Sequence, residues 1–159
     1  MNNADDPELV TVAPATTAVI RATVPMADLR NFFDASFGAL SAALSAQEVG
    51  IAGPAFALYH GMPTDTVDLE VGFVTDGTVE PIGDVIAGAL PGGRVARVVH
   101  HGSFDGLGDA WARLYEWISA QGLTPETPDA GFWEVYITEP SPDMDPADLR
   151  TELNAPLRD

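Results

Sequence analysis

The chain has 159 residues, of which 46% are hydrophobic, enough for the core of one domain. Its 7 basic and 24 acidic residues give a net charge of −17, which opposes direct binding to nucleic-acid phosphates and anionic lipids. The absence of cysteine excludes disulfides, thiolate metal sites and cysteine nucleophiles. No run approaches the ~20 apolar residues of a membrane span, and the acidic N-terminus does not read as a signal peptide, so we expect a cytoplasmic location.

The first half of the chain predicts two strands, one helix and two further strands. From Leu29 onward, apolar residues recur three and four positions apart, which predicts an amphipathic helix that ends near Gly50. Alternating and branched residues before and after it favour extended structure. The predicted strands cover 8–14, 16–24, 54–60 and 67–74.

The second half repeats the order strand, helix, strand, strand. Ser103 is a plausible N-cap for a helix that carries Trp111 among its apolar residues and ends at Gly122. The strand before this helix and the two after it are rich in valine, isoleucine and aromatic residues. The predicted strands cover 94–101, 132–138 and 149–153.

These two units predict an α+β fold built from a tandem strand-helix-strand-strand repeat with pseudo-twofold symmetry. Repeat one covers about 9–75 and repeat two 94–157, with a connection over 76–93 that holds at most a strand; residues 1–8 form a disordered tail before a domain over 9–159. Joined edge to edge, the repeats would form one antiparallel sheet. We expect two helices on one face and a central ligand cleft on the other.

A glutamate between two aromatic residues is the strongest functional feature of the sequence. Alternation along the strand places Phe132, Glu134 and Tyr136 on one face, and Trp133 and Val135 on the other face, which we expect the helices to cover. A solvated glutamate on an edge strand would also fit this pattern. A partly buried carboxylate that pairs with a cationic ligand, assisted by the ring faces, is the functional interpretation.

The first repeat contains a counterpart of this strand. When the two runs are aligned by their tyrosines, Tyr59 matches Tyr136 and Ala57 matches Glu134. Two tyrosines across the seam would form the walls of a cleft, and the small Ala57 would leave space opposite the acid. We therefore predict a ligand site formed by Tyr59, Phe132, Glu134 and Tyr136. A role for either tyrosine in the core or on the surface is the alternative.

Several stretches, in a fixed order and spacing, resemble the GyrI-like family of effector-binding domains. Members of this family also occur behind DNA-binding modules in AraC-type and MerR-type multidrug regulators. The similarity covers nearly the whole chain, and no stretch is diagnostic by itself. The matching stretches are 54–60, 68–73, 90–96, 101–105, 133–136 and 150–153.

The resemblance implies the tandem-repeat fold and a central cleft for small, often cationic and aromatic compounds. It assigns the acidic pocket residue to Glu134 and pocket aromatics to Tyr59 and Tyr136. Phe104 and Leu153 depart conservatively from the family pattern. Because about eight polar residues precede Leu9, no helix-turn-helix is expected, and we predict a stand-alone member that does not bind DNA itself.

The residues leave three functions open. The first is binding of hydrophobic cationic compounds by a sensor or sequestering protein, with no cofactor and no metal. The second, implied by the resemblance, is hydrolysis of electrophilic molecules such as cyclopropane-bearing toxins, with Glu134 acting on water and Tyr136 or Tyr59 donating a proton. The third is a partnership with a separate regulator or, by mimicry of DNA charge, with a topoisomerase. The identity of the ligand and the oligomeric state do not follow from the sequence.

Overall fold

The alternating runs form strands and the two amphipathic runs form helices in a computed structural model that describes residues 6–61, 64–127, 131–138 and 145–158. Of the predicted tail, residues 1–5 lie outside the described part. The helices are α1 (Leu29–Gln47) and α2 (Leu107–Ala120). The strands are β1 (Glu8–Val12), β2 (Ala15–Pro25), β3 (Ile51–Tyr59), β4 (Thr66–Thr75), β5 (Ile86–Leu90), β6 (Gly93–His101), β7 (Phe132–Tyr136) and β8 (Arg150–Pro156).

All eight strands pair in one antiparallel sheet in the order β1-β6-β8-β7-β3-β4-β2-β5. The two halves of this order are the two repeats, β2-α1-β3-β4 and β6-α2-β7-β8, which meet where β3 pairs with β7. At this seam Ala57 lies directly opposite Glu134, as the alignment of the repeats predicted, and Tyr59 lies opposite Phe132. The α+β class and the tandem repeat are confirmed.

The strand that precedes each of these repeats in the chain pairs with the other repeat. β1 pairs with β6, and β5, which lies within the predicted connection, pairs with β2. Val12 pairs with Gly93, and Ala15 pairs with Leu90. The register of the β1–β6 pair therefore continues into the β2–β5 pair, across the turns that join β1 to β2 and β5 to β6. β1–β2 and β5–β6 therefore form one bent ribbon whose arms lie at opposite ends of the strand order. This connection curls the sheet.

Both helices pack on the same face of the sheet. α1 lies against β2 and β4, and α2 lies against β6. Each helix buries its apolar stripe over its own repeat, as amphipathic helices on a sheet do. The first core joins Leu40 and Leu44 to strand residues such as Ala18, Leu69 and Val71; the second joins Leu114 and Ile118 to Ala96, Leu153 and Ala155.

The structure corrects the predicted side of the cleft. The face that carries Glu134 is the face on which the helices pack, and the helices lie over the two repeats with the cleft between them. Trp133 and Val135 point to the other face, where the bent ribbon contributes Val12 and Leu90 to a separate core. The prediction was wrong because alternation shows which side chains share a face, but not on which side the helices pack.

The two helices end differently. α2 is followed by Gly122 with φ +73°, the predicted glycine stop. α1 ends at Gln47, and Glu48 rather than Gly50 adopts the left-handed conformation, with φ 57°. Neither helix of the described residues combines the length and apolar character that crossing a bilayer requires.

Replacing Gly72 by alanine is expected to destabilise the sheet. A Cβ at this position of β4 would collide with the carbonyl oxygen of Ala18 and would lie 2.8 Å from a methyl group of Val19. Overpacking of this kind costs about 1–3 kcal/mol of unfolding free energy. Gly38→Ala on α1 is the matched control, since its Cβ would meet nothing within 4 Å. We expect it to add ~0.5–1 kcal/mol. Urea unfolding measures both changes, and equal stabilities would contradict the prediction.

Candidate functional site

An open cleft of about 1640 Å³ lies between the two helices, above the seam of the sheet. Its floor contains Tyr59 on β3 and Phe132, Glu134 and Tyr136 on β7. Trp111 and other residues of α2 line one side, and residues of α1 line the other. A concave cleft with mostly apolar walls and a few polar groups has the general properties of a small-molecule site.

The carboxylate of Glu134 lies on this floor, and the residue is only 5% exposed. Its Oε1 accepts hydrogen bonds from the hydroxyl groups of Tyr59 at 3.1 Å and Tyr136 at 3.0 Å. Its Oε2 accepts a hydrogen bond from the indole Nε1 of Trp111 at 2.8 Å. Since burying an ion costs several kcal/mol unless it is paired or hydrogen-bonded, these three donors explain how the acid is accommodated.

Aromatic contacts hold the three donors in place. The rings of Tyr59 and Phe132 stack at a centroid distance of 5.3 Å and an interplanar angle of 15°. Trp111 packs edge-on against Phe132 at 5.2 Å, and Phe33 of α1 packs edge-on against Tyr136 at 6.1 Å. These separations are those of favourable aromatic pairs, so the rings form a rigid wall around the carboxylate.

The donors to Glu134 are electrically neutral. Burial, followed by the nearby Glu134 carboxylate, raises the pKa of Tyr59 well above its usual 10.0. Burial also raises the pKa of Tyr136 well above this value, with further contributions from Tyr59 and Glu134. Both hydroxyl groups therefore remain protonated at neutral pH and act as donors.

No ion pair among the described residues includes Glu134. Within the described part of the chain, the charged side chains that line the cleft are Arg30 and Asp34 on α1, Asp105 before α2, and Glu134. Three carboxylates and one guanidinium give this lining a net negative charge. Its electrostatic potential therefore favours cationic over anionic ligands.

The four residues predicted as the ligand site come together. Tyr59 and Tyr136 both donate to Glu134, and Phe132 stacks on Tyr59. The role of Trp111 was not predicted, because its spacing on α2 is that of a core residue. The indole N–H was a usable signal, because a buried tryptophan usually needs a hydrogen-bond acceptor.

Two other glutamates occupy matched places in the repeats but lie on the opposite face. Glu70 on β4 contacts His60 Nε2 at 3.0 Å, and Glu152 on β8 contacts Arg97 Nε at 3.2 Å. Both glutamates therefore interact with basic side chains of the protein. Across the residues that the structure describes, no group of three acidic or histidine side chains is arranged to hold a metal ion.

Fold and cleft together define a small-molecule-binding domain. The model of the family described as the GyrI-like small molecule binding domain matches residues 5–158. The chain therefore belongs to the GyrI-like family. A search of curated proteins gave no match.

Solved structures share this fold at low sequence identity. The EcmrR C-terminal domain superposes with a TM-score of 0.83 at 20% identity, covering 96% of this chain and 97% of that one. In an EcmrR–DNA complex the same match spans 57% of the EcmrR chain. SAV2435, solved with tetraphenylphosphonium bound, gives a TM-score of 0.70 at 15% identity over 97% of this chain and 94% of that one. A hydrolase from Listeria innocua gives a TM-score of 0.69 at 13% identity, covering 96% of this chain and 91% of that one.

The raised tyrosine pKa values predict a loss of stability at high pH. An unfolded tyrosine ionises near pH 10, while the folded Tyr59 and Tyr136 resist ionisation, so their contribution is complete below about pH 10 and decreases above it. The sequence contains no lysine, so no lysine titration overlaps this range. Urea unfolding at about pH 9 and about pH 11 should show a smaller loss of stability for Tyr136→Phe than for the wild type. Equal losses would contradict the assignment.

Proposed function

We propose that this protein binds small, hydrophobic, cationic aromatic compounds in the cleft above Glu134. The observation that carries the proposal is a buried carboxylate that is surrounded by rings and held by neutral donors. Hydrogen bonds from neutral groups stabilise the negative charge without cancelling it. A cationic ligand would supply the opposite charge that the protein does not provide.

The surroundings of the carboxylate suit a cation with an apolar body. Ring faces attract cations by about 0.5–2 kcal/mol, with the larger values at desolvated sites. The apolar wall adds the burial of hydrocarbon surface, roughly 25 cal/mol per Å² of area removed from water. Specificity for charge would come from Glu134, and most of the affinity from the rings.

The structural neighbours support the same ligand class. SAV2435, which shares this fold, was solved with tetraphenylphosphonium, a hydrophobic aromatic cation. We transfer this class of ligand to the present chain because its own cleft contains the acid and the rings that such a cation requires. The prediction that the chain does not itself bind nucleic acid stays a prediction, since EcmrR has been solved in a DNA complex.

We propose the role of a cytoplasmic sensor or sequestering protein. In either role, the useful property is reversible capture of a range of related compounds, and a preformed open cleft is compatible with that property. A sensor would pass the bound state to a separate regulator, whereas a sequestering protein would act through its concentration alone.

Hydrolysis of electrophilic small molecules is the second candidate function. A hydrolase from Listeria innocua shares the fold, and in such a reaction Glu134 would activate water and Tyr136 would protonate the leaving atom. We place it second because the three hydrogen bonds that Glu134 accepts already engage both of its oxygens.

Glu134→Gln should weaken the binding of tetraphenylphosphonium by about 1–3 kcal/mol, because the variant loses the Coulomb attraction between the carboxylate and the cation. Isothermal titration calorimetry measures the change. Glu116→Gln is the charge-matched control, since Glu116 is exposed on α2 and does not line the cleft. Uncharged triphenylphosphine oxide serves as the second control and should lose little affinity in Glu134→Gln. Unchanged affinity for the cation would remove the electrostatic basis of the proposal.

Binding and hydrolysis differ in turnover. If the protein binds its ligands, a cyclopropane-bearing electrophile mixed with a small fraction of an equivalent of protein should yield no product beyond the uncatalysed background. Chromatography and mass spectrometry measure the amount of product formed with and without the protein. Many turnovers in the wild type, abolished in Glu134→Gln and retained in Glu116→Gln, would instead make hydrolysis the function.

A further inference from the structure

The number of free acceptor positions on Glu134 restricts which cations it can bind. A carboxylate offers about four lone-pair positions, two on each oxygen. The hydroxyl groups of Tyr59 and Tyr136 use both positions of Oε1, and the indole of Trp111 uses one of Oε2. One position on Oε2 is therefore left for a ligand.

The three donors are not easily displaced. They come from three different elements, β3, β7 and α2, and each ring is packed against another aromatic ring. The tyrosines stay protonated, since their pKa values lie well above neutral pH. A ligand that hydrogen-bonded to Oε1 would have to break one of these bonds and leave a buried hydroxyl group without a partner.

We infer that the cleft selects cations by their lack of hydrogen-bond donors: it favours quaternary ammonium and phosphonium ions over protonated amines of the same shape. This inference rests on the proposed function. Both classes carry one positive charge, which the carboxylate of Glu134 attracts. A primary ammonium group, however, has three N–H donors that leave water on binding, and the carboxylate can accept only one of them. Donors left unpaired on burial are costly.

The other carboxylates of the cleft do not provide this selection. Asp34 and Asp105 are exposed, so an ammonium group beside either one keeps much of its water. An amine can therefore bind there weakly without losing its hydrogen bonds. The discrimination arises at the buried acid, and its determinants are the hydroxyl groups of Tyr59 and Tyr136 and the indole of Trp111.

A matched pair of ligands tests the inference. The (4-phenylbenzyl)ammonium and (4-phenylbenzyl)trimethylammonium ions have the same rings and are both cationic at neutral pH. Calorimetric competition against tetraphenylphosphonium should show the quaternary ion binding the wild type at least ~10-fold more tightly. Because the added methyl groups also contribute apolar surface, the decisive quantity is the change of this ratio between variants.

Tyr136→Phe removes one donor and frees one position on Oε1. It should strengthen the binding of the primary ammonium ion and reduce the ratio at least ~3-fold. Tyr115→Phe deletes a hydroxyl from another ring that lines the cleft, one without a hydrogen bond to Glu134, and should leave the ratio unchanged. Tyr59→Phe makes the same test if circular dichroism shows that Tyr136→Phe is not folded.

The outcomes separate the inference from the proposed function. If tetraphenylphosphonium binds but the ratio is near one, or does not change in Tyr136→Phe and Tyr59→Phe, the selection is overturned and cation binding stands. If the quaternary ion fails to displace tetraphenylphosphonium, the inferred preference is likewise overturned. If tetraphenylphosphonium itself does not bind, both the inference and the proposed function fail.

Discussion

The organisation of this molecule depends on one buried carboxylate that is solvated by protein groups instead of water. Charge-assisted hydrogen bonds contribute about 1.5–3 kcal/mol each, so three of them offset much of the cost of burying Glu134. The donors come from β3, β7 and α2, which ties both repeats and one helix to the same side chain. The site is therefore organised before any ligand arrives, and this reduces the entropy that binding must overcome.

The duplicated fold explains why the site has one acid and two tyrosines. Ala57 and Glu134 match when the repeats are aligned, and they also face each other across the seam, so this pair lies on the pseudo-twofold axis. Tyr59 and Tyr136 are the symmetry-related pair, and both reach the same oxygen. A second carboxylate at position 57 would face the first in a buried place, and the two could not both ionise readily. Divergence at this position gives the symmetric cleft a single central charge.

The sequence pattern predicted which residues form the site better than it predicted where the site lies in the fold. Alternation placed Phe132, Glu134 and Tyr136 on one face, and the repeat added Tyr59, because both signals depend on local geometry. The side on which the helices pack depends on how the chain crosses the sheet, and the exchange of β1 and β5 depends on pairings between distant segments. Neither the packing side of the helices nor these pairings can be recognised from a local sequence pattern. Trp111 was missed for a related reason, since its spacing on α2 fits both a core residue and a hydrogen-bond donor.

The glutamates on the two faces of the sheet differ in a way that separates an acid with a structural role from an acid that is available to a ligand. Glu70, only 8% exposed, is about as buried as Glu134, but its partner is a basic side chain, the imidazole of His60 at 3.0 Å. Glu152 contacts Arg97 in the same way. Both acids therefore have a basic partner within the protein. Around Glu134 the partners are hydroxyl and indole groups, which stabilise the ionised form yet leave its charge uncompensated. Burial alone therefore does not mark a binding site; the chemistry of the donors around the buried charge does.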